Sequence, residues 1–295
     1  MRIVSLLPSA TELLGVLGLE DSLVAISHEC DTPASVLHLP HATRSRIPEG
    51  LSQSEINALV AQSIQDEEPL YAVDAGLIRD LAPDLVVTQG LCDVCAVTPD
   101  TIEASLRGIA CTLPASTRVL SLNGMSVDGI FADLQALASA TNTQQAASTA
   151  IADSRAQLAS IATAAAPRRV LLLEWVDPAY SPGHWVPEQV EAAGCISVIG
   201  APGDHSRALP WSEIEAASPE AIGVICCGYG LDENVSFAQM IAEKPEVQRW
   251  LDGPIVAFDA NRFFSRPTLA IVEGARRLHE AFVLGSKTGD GFRTL

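Results

Sequence analysis

The sequence predicts an α/β protein with two similar lobes of mainly parallel sheet joined by one long, rigid helix. Three observations carry this prediction. Short apolar strands alternate with amphipathic helices, an Ala-rich helical stretch divides the chain near its middle, and one helix–strand pattern occurs on both sides of it. Alternating strands and helices are typical of parallel sheets, because a parallel connection needs the crossover that a helix supplies.

The first lobe is predicted over residues 1–125 and begins with a strand at residues 2–7. Pro8-Ser9-Ala10-Thr11-Glu12 follows it and is typical of the start of a helix. A second strand is predicted at residues 23–27, with helices at residues 54–65 and 75–81. Residues 84–88 are predicted to form a buried strand, because Leu85, Val86 and Val87 are consecutive apolar residues.

The middle of the chain, residues 126–166, is predicted to be helical. Apolar residues recur there with the spacing of one helix face, at Val127, Ile130, Phe131, Leu134 and Leu137. Asn142 offers an N-cap for a second helix over residues 143–165, which contains no Gly or Pro. That helix would be roughly 34 Å long at 1.5 Å per residue. We interpret it as the connection between the lobes; one more packed helix is the alternative.

The second lobe is predicted over residues 167–285, with strands at residues 169–175 and 221–226 and helices at residues 187–193 and 211–217. Residues 77–87 and 214–225 share one pattern: a short helix, then Pro and an acidic residue, then a buried strand. This internal repeat favours two similar lobes. Residues 286–295 are polar and contain Gly, which predicts a flexible, frayed tail.

Composition excludes several functions. The formal net charge is −18 and the pI is about 4.6, which argues against a nucleic-acid groove. No apolar run is long enough to insert into a membrane, and the N-terminus has no long apolar region of a signal peptide. The sequence therefore predicts a cytoplasmic protein. Seven cysteines, an odd number, favour free thiols or metal ligands over a disulfide framework in that compartment.

Ligands of open parallel sheets bind at the carboxyl ends of the strands. Aromatic side chains near the predicted strand ends would stack on a flat, apolar ligand, with polar or thiol side chains around them. The predicted ligand-binding residues are Tyr71, Gln89, Cys92, Trp175, Trp211, Tyr229 and Arg266.

Cys92-Asp93-Val94-Cys95 is a C-x-x-C motif. Its thiolates would share one metal ion or form a redox pair. The simpler alternative is that both cysteines are buried and pack as small apolar residues. A structural metal site needs more ligands than these two, so a zinc ion or an iron–sulfur cluster would also need residues from elsewhere in the chain. The predicted metal ligands are His28, Cys30, Cys92, Cys95 and Cys227.

Enzyme motifs are missing from the sequence, including G-x-S-x-G, Walker A, H-E-x-x-H and the dinucleotide-binding G-x-G-x-x-G. No nucleophile–base pair is identifiable either. The sequence therefore predicts a protein that is not an enzyme. A thiol-dependent enzyme would be the alternative, and it would require a reactive cysteine of low pKa.

Three stretches together resemble the substrate-binding proteins of ABC transporters for cobalamin and ferric siderophores, the helical-backbone metal receptor superfamily. They are residues 2–12, residues 82–87 and Phe264-Ser265-Arg266-Pro267. The resemblance extends from Arg2 to Phe282. It implies a class III periplasmic-binding-protein-like fold, with two α/β lobes, one rigid helix, a shallow cleft between the lobes and no catalysis.

His28-Glu29-Cys30-Asp31, together with residues 91–97, resembles a leaderless branch of this superfamily that is described as cobalamin-binding. Tyr71 and Trp211 match stretches that contact the corrin in cobalamin-binding members. The resemblance thus implies a small metal-complex ligand, a cobalamin or related corrinoid, whose cobalt would accept a His or Cys ligand. Without a signal peptide, a membrane permease is not an expected partner.

Overall fold

The computed structural model describes residues 1–66, 70–89, 116–161 and 166–295, and the chain divides into two compact units. Unit 1 comprises Met1–Gly124 and Phe131–Ala150, and unit 2 comprises Met125–Ile130 and Ile151–Leu295. Each unit contains a mainly parallel sheet, so the predicted α/β class is confirmed. Within the described ranges, no helix is long and apolar enough to cross a membrane.

The strands of unit 1 are β1 (Ile3–Ser5), β2 (Leu23–Ala25), β3 (Thr43–Ser45), β4 (Tyr71–Val73), β5 (Leu85–Gln89) and β6 (Arg118–Leu122), and its helices are α1 (Pro8–Val16), α2 (Gln53–Asp66) and α3 (Ala75–Leu81). Four of the strands form a parallel sheet with the order β2-β1-β5-β6, and β3 and β4 form a separate antiparallel pair. Val4 and Val86 pack on one face of the sheet with Ile78 of α3. The strand predicted at residues 84–88 is therefore the buried centre of this unit.

Two of the three divisions between the units lie inside helices, one in α4 (Val127–Thr141) and one in α5 (Gln144–Ala159). Ile130 of α4 is fully buried and belongs to the core of unit 2, with Val170 and Leu172. Helix α5 has 16 residues, which gives a length of about 24 Å. It corresponds to the helix predicted over residues 143–165, of which residues 162–165 lie outside the described ranges.

The strands of unit 2 are β7 (Arg169–Leu173), β8 (Trp175–Val176), β9 (Ala179–Tyr180), β10 (Ile196–Ser197), β11 (Ala221–Val224), β12 (Ile255–Phe258), β13 (Thr288–Gly289) and β14 (Phe292–Thr294), and its helices are α6 (Val186–Ala192), α7 (Trp211–Ala217), α8 (Leu231–Ala242), α9 (Pro245–Gln248), α10 (Ala260–Phe263) and α11 (Ile271–Leu278). Six of the strands form a sheet in the order β10-β7-β11-β12-β14-β13, and β8 and β9 form a short hairpin. Successive residues of β7 point to opposite faces, so Leu171 and Leu172 join two different apolar clusters. The sheet is thus buried on both faces.

The prediction of a frayed tail over residues 286–295 is wrong. Strand β14 pairs antiparallel with β12, with Phe292 opposite Phe258, and Phe292 is only 1% exposed. The polar residues that suggested a tail form the connection of the β13–β14 hairpin, where Gly291 has a positive φ of 75°. One aromatic residue in a polar stretch is enough to fix this hairpin, because its ring packs in the core.

The internal repeat is present in the backbone. Helix α3 ends at Ala82 and helix α7 ends at Ser218, both in the left-handed region with φ of 43° and 48°. A buried proline follows each of them, Pro83 and Pro219. Each unit therefore enters a central strand through the same helix-to-strand connection.

Candidate functional site

The carboxyl end of β2 in unit 1 carries a hydrogen-bonded histidine. Thr43 of β3 contacts it twice: His28 Nδ1 lies 2.7 Å from Thr43 Oγ1, and the His28 backbone N–H donates to the same oxygen over 3.1 Å. Ser27 Oγ lies 3.0 Å from Thr43 Oγ1 as well. Thr43 thereby fixes the imidazole, whose ring centroid lies 5.7 Å from that of Tyr71 in β4.

Burial lowers the pKa of His28 below its ordinary value, the carboxylate of Glu29 opposes this effect, and the charge of His41 adds to it. The Nε2 atom is buried and lies 3.1 Å from Glu29 Oε1. A neutral imidazole is the form that ligates metals. Of the predicted metal ligands, His28 is the one whose described surroundings suit that role.

Cys30 contacts a hydroxyl network inside unit 1. Its sulfur lies 3.2 Å from Thr11 Oγ1, and Thr11 donates to Ser5 Oγ over 2.8 Å. All three side chains are buried. This arrangement connects β1, α1 and the segment after β2, so Cys30 has a structural role in the part of the chain that the structure describes.

A pocket of about 300 Å³ lies within unit 1 beside β3, β4 and the start of α3. We call it the Arg44 pocket, and it is lined by His41, Thr43, Arg44, Ala72, Val73, Asp74 and Ala75. Arg44 and His41 are exposed, whereas Thr43 is 9% exposed and forms a fixed part of the wall. The sequence alone leaves two interpretations of Arg44, a contact for an anionic group or a solvated side chain in a Ser-containing loop.

The carboxyl end of the sheet in unit 2 carries an aromatic group. The rings of Trp175 and Tyr229 lie 5.8 Å apart, and Tyr229 meets Phe237 edge-to-face at 4.9 Å. Trp175 follows β7 and Tyr229 follows β11, which are neighbouring parallel strands. The structure therefore brings two of the predicted ligand-binding residues together, and both remain partly exposed.

Backbone hydrogen bonds hold these two rings in place. The Cys227 N–H donates to the Glu174 carbonyl over 3.1 Å, joining the two segments that carry the rings. Asn234, which is fully buried in α8, accepts a 2.8 Å bond from the Cys226 N–H at Oδ1 and donates to the Tyr229 carbonyl from Nδ2 over 3.3 Å. Sequence reasoning missed Asn234, because an isolated polar residue in a helix carries no distinguishing pattern.

Glu174 is a second missed residue. Its carboxylate accepts a 2.9 Å bond from the Gly183 N–H and a short bond from Ser206 Oγ. Gly183 leaves no room for a Cβ, since such an atom would lie 2.5 Å from the Ser206 backbone nitrogen. Glu174 therefore fastens the loop around Ser206 to the segment that follows the β8–β9 hairpin.

The remaining predicted ligand-binding residues are more dispersed. Lys244 Nζ lies 5.4 Å from the centroid of the Trp211 ring, a cation–π contact within the protein. Gln89 is the last residue of β5 and is partly exposed, and Arg266 follows α10. Cys92 lies outside the described residues. The aromatic contacts of the described residues do not join Trp211 to Trp175 or Tyr229.

The predicted metal ligands do not form one described cluster. Over residues 1–66, 70–89, 116–161 and 166–295, no three His, Cys, Asp or Glu side chains are placed to hold a metal ion. Cys92 and Cys95 lie outside those ranges. Cys227 is an exposed cysteine in unit 2, whereas His28 and Cys30 belong to unit 1. The five-residue ligand set remains a prediction.

Comparison with solved structures shows the same fold in bacterial binding proteins. The periplasmic vitamin B12 binding protein BtuF of Vibrio cholerae is 20% identical, with a TM-score of 0.62, over 97% of this chain and 98% of that chain. The periplasmic heme binding protein HutB of Vibrio cholerae is 22% identical, with a TM-score of 0.64, over 95% of this chain and 97% of that chain. An ABC transporter substrate-binding protein from Listeria monocytogenes EGD-e is 16% identical, with a TM-score of 0.68, over 95% of this chain and 97% of that chain.

No curated protein matches the sequence. A family model for periplasmic binding proteins matches residues 3–250, which is most of the chain. The predicted superfamily is thus confirmed, and membership makes the protein a solute-binding protein rather than an enzyme. The chain belongs to the periplasmic binding protein family.

Proposed function

We propose that the protein binds a corrinoid, or a related tetrapyrrole metal complex, as its solute. Family membership supports a non-enzymatic binding role. Two proteins of the same fold are described as binding vitamin B12 and heme, both of them flat metal complexes. The proposal extends this ligand class to the present chain.

The observation that carries the proposal is the aromatic pair of Trp175 and Tyr229. Two partly exposed rings at the carboxyl end of a parallel sheet, tilted by 49° to each other, offer apolar aromatic contacts to a macrocycle. Their backbone is fixed by Asn234 and by the bond between Cys227 and Glu174. A binding surface that is fixed beforehand loses less conformational entropy when its ligand binds.

Unit 1 supports the same ligand class through Tyr71 and His28. The Tyr71 ring lies 5.7 Å from the imidazole, whose Nε2 lies 3.1 Å from Glu29 Oε1. A bound cobalt or iron centre supplies an open axial position, and a neutral imidazole suits it. His28 is thus the residue that we propose to interact with the metal of the ligand.

The test is a titration with aquocobalamin and, separately, with hemin, recorded by visible absorption and by tryptophan fluorescence. We expect saturable spectral shifts for at least one of the two. Trp175→Leu should weaken that binding roughly five- to tenfold, the loss expected for one aromatic stacking contact. Trp250→Leu, which removes a ring that packs in the core of unit 2, is the matched control and should leave the affinity unchanged.

If neither ligand shifts the spectrum, the tetrapyrrole proposal fails. Metal analysis of anaerobically purified protein then tests the alternative prediction, a cysteine-ligated zinc ion or iron–sulfur cluster. Less than about one tenth of an equivalent of bound metal would exclude that alternative for tight structural sites. A cytoplasmic location is also part of the proposal, and cell fractionation with an antibody against the protein tests it.

A further inference from the structure

The Arg44 pocket contains positive charge that the protein leaves unpaired. Among the described residues, neither the Arg44 guanidinium nor the His41 ring has a hydrogen-bond or ion-pair partner. Other arginines of unit 1 differ: Arg79 pairs with Asp80 at 2.9 Å, and Arg118 donates to the Ala140 carbonyl over 2.6 Å. In a chain of net charge −18, an unpaired guanidinium in a pocket favours an anionic ligand.

One wall of the pocket also carries a carboxylate. Asp74 Oδ1 accepts a 2.9 Å bond from the Leu77 N–H and so caps α3. Asp74 forms no ion pair with Arg44 in the part of the chain that the structure describes. The pocket therefore presents the Arg44 guanidinium, the His41 ring and a carboxylate acceptor to the same ligand.

We infer that the Arg44 pocket binds a phosphate group, as the free ion or as a small phosphate monoester. Phosphate accepts hydrogen bonds from Arg44 and His41. At neutral pH it also retains an O–H group, which can donate a hydrogen bond to the Asp74 carboxylate. Sulfate has no proton to donate under these conditions, so the Asp74 carboxylate would repel it. The volume of about 300 Å³ equals roughly ten water molecules, more than a bare phosphate ion fills, and this favours a monoester.

The Arg44 pocket adjoins His28, because Thr43 lines the pocket and lies 2.7 Å from His28 Nδ1, whereas Tyr71, Trp175 and Tyr229 are not among its lining residues. Its test therefore uses no metal complex. Inorganic phosphate, glycerol 3-phosphate and sulfate are titrated into the full chain at constant ionic strength. The readout is the NMR signal of the His41 ring, assigned with the variant His41→Gln.

We expect saturable shifts with a phosphate compound and much weaker shifts with sulfate. Arg44→Gln should weaken phosphate binding roughly tenfold, the effect of losing a charge-assisted hydrogen bond. Arg79→Gln changes the net charge equally and should have no effect. Asp74→Asn keeps an N-cap residue for α3 and should reduce the preference for phosphate over sulfate.

Tighter binding of glycerol 3-phosphate identifies a monoester site, and tighter binding of inorganic phosphate identifies a free-ion site. The inference is overturned if no compound gives a saturable shift, or if Arg44→Gln and Arg79→Gln bind phosphate equally well. Equal affinities of the wild-type protein for phosphate and sulfate would also overturn it. None of these outcomes depends on whether the protein binds cobalamin or hemin.

Discussion

Asp84 in unit 1 and Glu220 in unit 2 make the same pair of contacts at equivalent positions. Asp84 Oδ2 accepts a 2.7 Å hydrogen bond from the Arg2 N–H, and the Asp84 N–H donates to the Arg2 carbonyl over 2.9 Å. Glu220 Oε2 accepts a 2.8 Å bond from the Arg169 N–H, and the Glu220 N–H donates to the Arg169 carbonyl over 2.8 Å. The two units thus repeat individual contacts as well as the order of their elements.

The arginine side chains repeat as well. Arg2 Nε donates to the Leu81 carbonyl at the end of α3 over 2.9 Å, and Arg169 Nη2 donates to the Ala217 carbonyl at the end of α7 over 2.8 Å. These bonds satisfy carbonyls that have no partner within the helix. Each arginine therefore connects the first strand of its sheet to the helix before the neighbouring central strand.

The helix ends in this repeat predict two stabilising substitutions. Ala82 and Ser218 adopt left-handed backbone conformations, which cost free energy in residues with a Cβ. Ala82→Gly and Ser218→Gly should each raise the free energy of unfolding by about 0.5–1 kcal/mol.

Urea unfolding followed by circular dichroism measures both effects. All four tryptophans, Trp175, Trp185, Trp211 and Trp250, belong to unit 2, so fluorescence should report the Ser218→Gly effect separately. Ala146→Gly, at an exposed position inside α5, is the control and should destabilise by about 1 kcal/mol. Destabilisation by all three variants would show that Ala82 and Ser218 are not strained by a left-handed backbone conformation.

The C-terminal hairpin predicts a large loss of stability for Phe292→Ala. The Phe292 ring is 1% exposed and lies 5.9 Å from the Phe258 ring. Removal of a buried phenylalanine ring should cost about 3–5 kcal/mol in the unfolding free energy of unit 2. Leu295→Ala, at a position 44% exposed, should change it by less than about 0.5 kcal/mol. Similar fluorescence-detected urea midpoints for the two variants would contradict the packing of this hairpin.

His184 predicts that unit 2 loses stability in mild acid. Burial, and then the charge of His205, lower the pKa of His184 below the ordinary value of 6.5. His184 therefore binds a proton more tightly in the unfolded chain than in the folded chain. Its contribution to the free energy of unfolding is fully present above pH 6.5 and decreases as the pH falls towards the folded-state pKa.

The variant His184→Asn should reduce the loss of stability between pH 7.5 and 5.5, as measured from urea midpoints by tryptophan fluorescence. Asn tolerates the positive φ of 55° at this position, so the substitution should not strain the backbone. His38→Asn, at an exposed position, should keep the pH dependence of the wild-type protein. A pH dependence that is the same in all three proteins would assign the acid sensitivity to other groups.

The described cysteines should differ in reactivity. Burial raises the pKa of Cys195 to about 11, which leaves little thiolate at pH 8, whereas Cys227 is exposed. Iodoacetamide at pH 8 should therefore label Cys227 much faster than Cys195, as read by peptide mass spectrometry. The difference should disappear in urea, where both thiols are solvated. Equal labelling of the two thiols in the native protein would contradict their placement.

Sequence patterns predicted the elements that have strong local signals. Pro83 and Pro219 mark the ends of α3 and α7, and short apolar stretches mark β5 and β11. The hairpin at the C-terminus was missed, because one residue, Phe292, supplies the apolar contact that fixes it. The average polarity of a short stretch does not reveal that one of its residues, here Phe292, is buried in the core.

The candidate site was predictable only in part. Trp175 and Tyr229 could be found because these large aromatic residues lie at or just beyond the ends of predicted parallel strands. Thr43, Glu174 and Asn234 could not be found from the sequence. Each forms hydrogen bonds with residues in another part of the fold, and no sequence motif marks any of the three. Spacing also gave no indication that Cys30 and Cys227 belong to different units.

The course of the chain through α4 limits how the protein can be expressed in pieces. Unit 1 needs Phe131–Ala150, and unit 2 needs Met125–Ile130, whose last residue is buried beside Val170 and Leu172. A single cut in the gene at any position therefore separates one unit from part of its own core or leaves a foreign segment attached to it. Independent expression of unit 2 requires grafting Met125–Ile130 onto the segment that begins at Ile151, through a new linker.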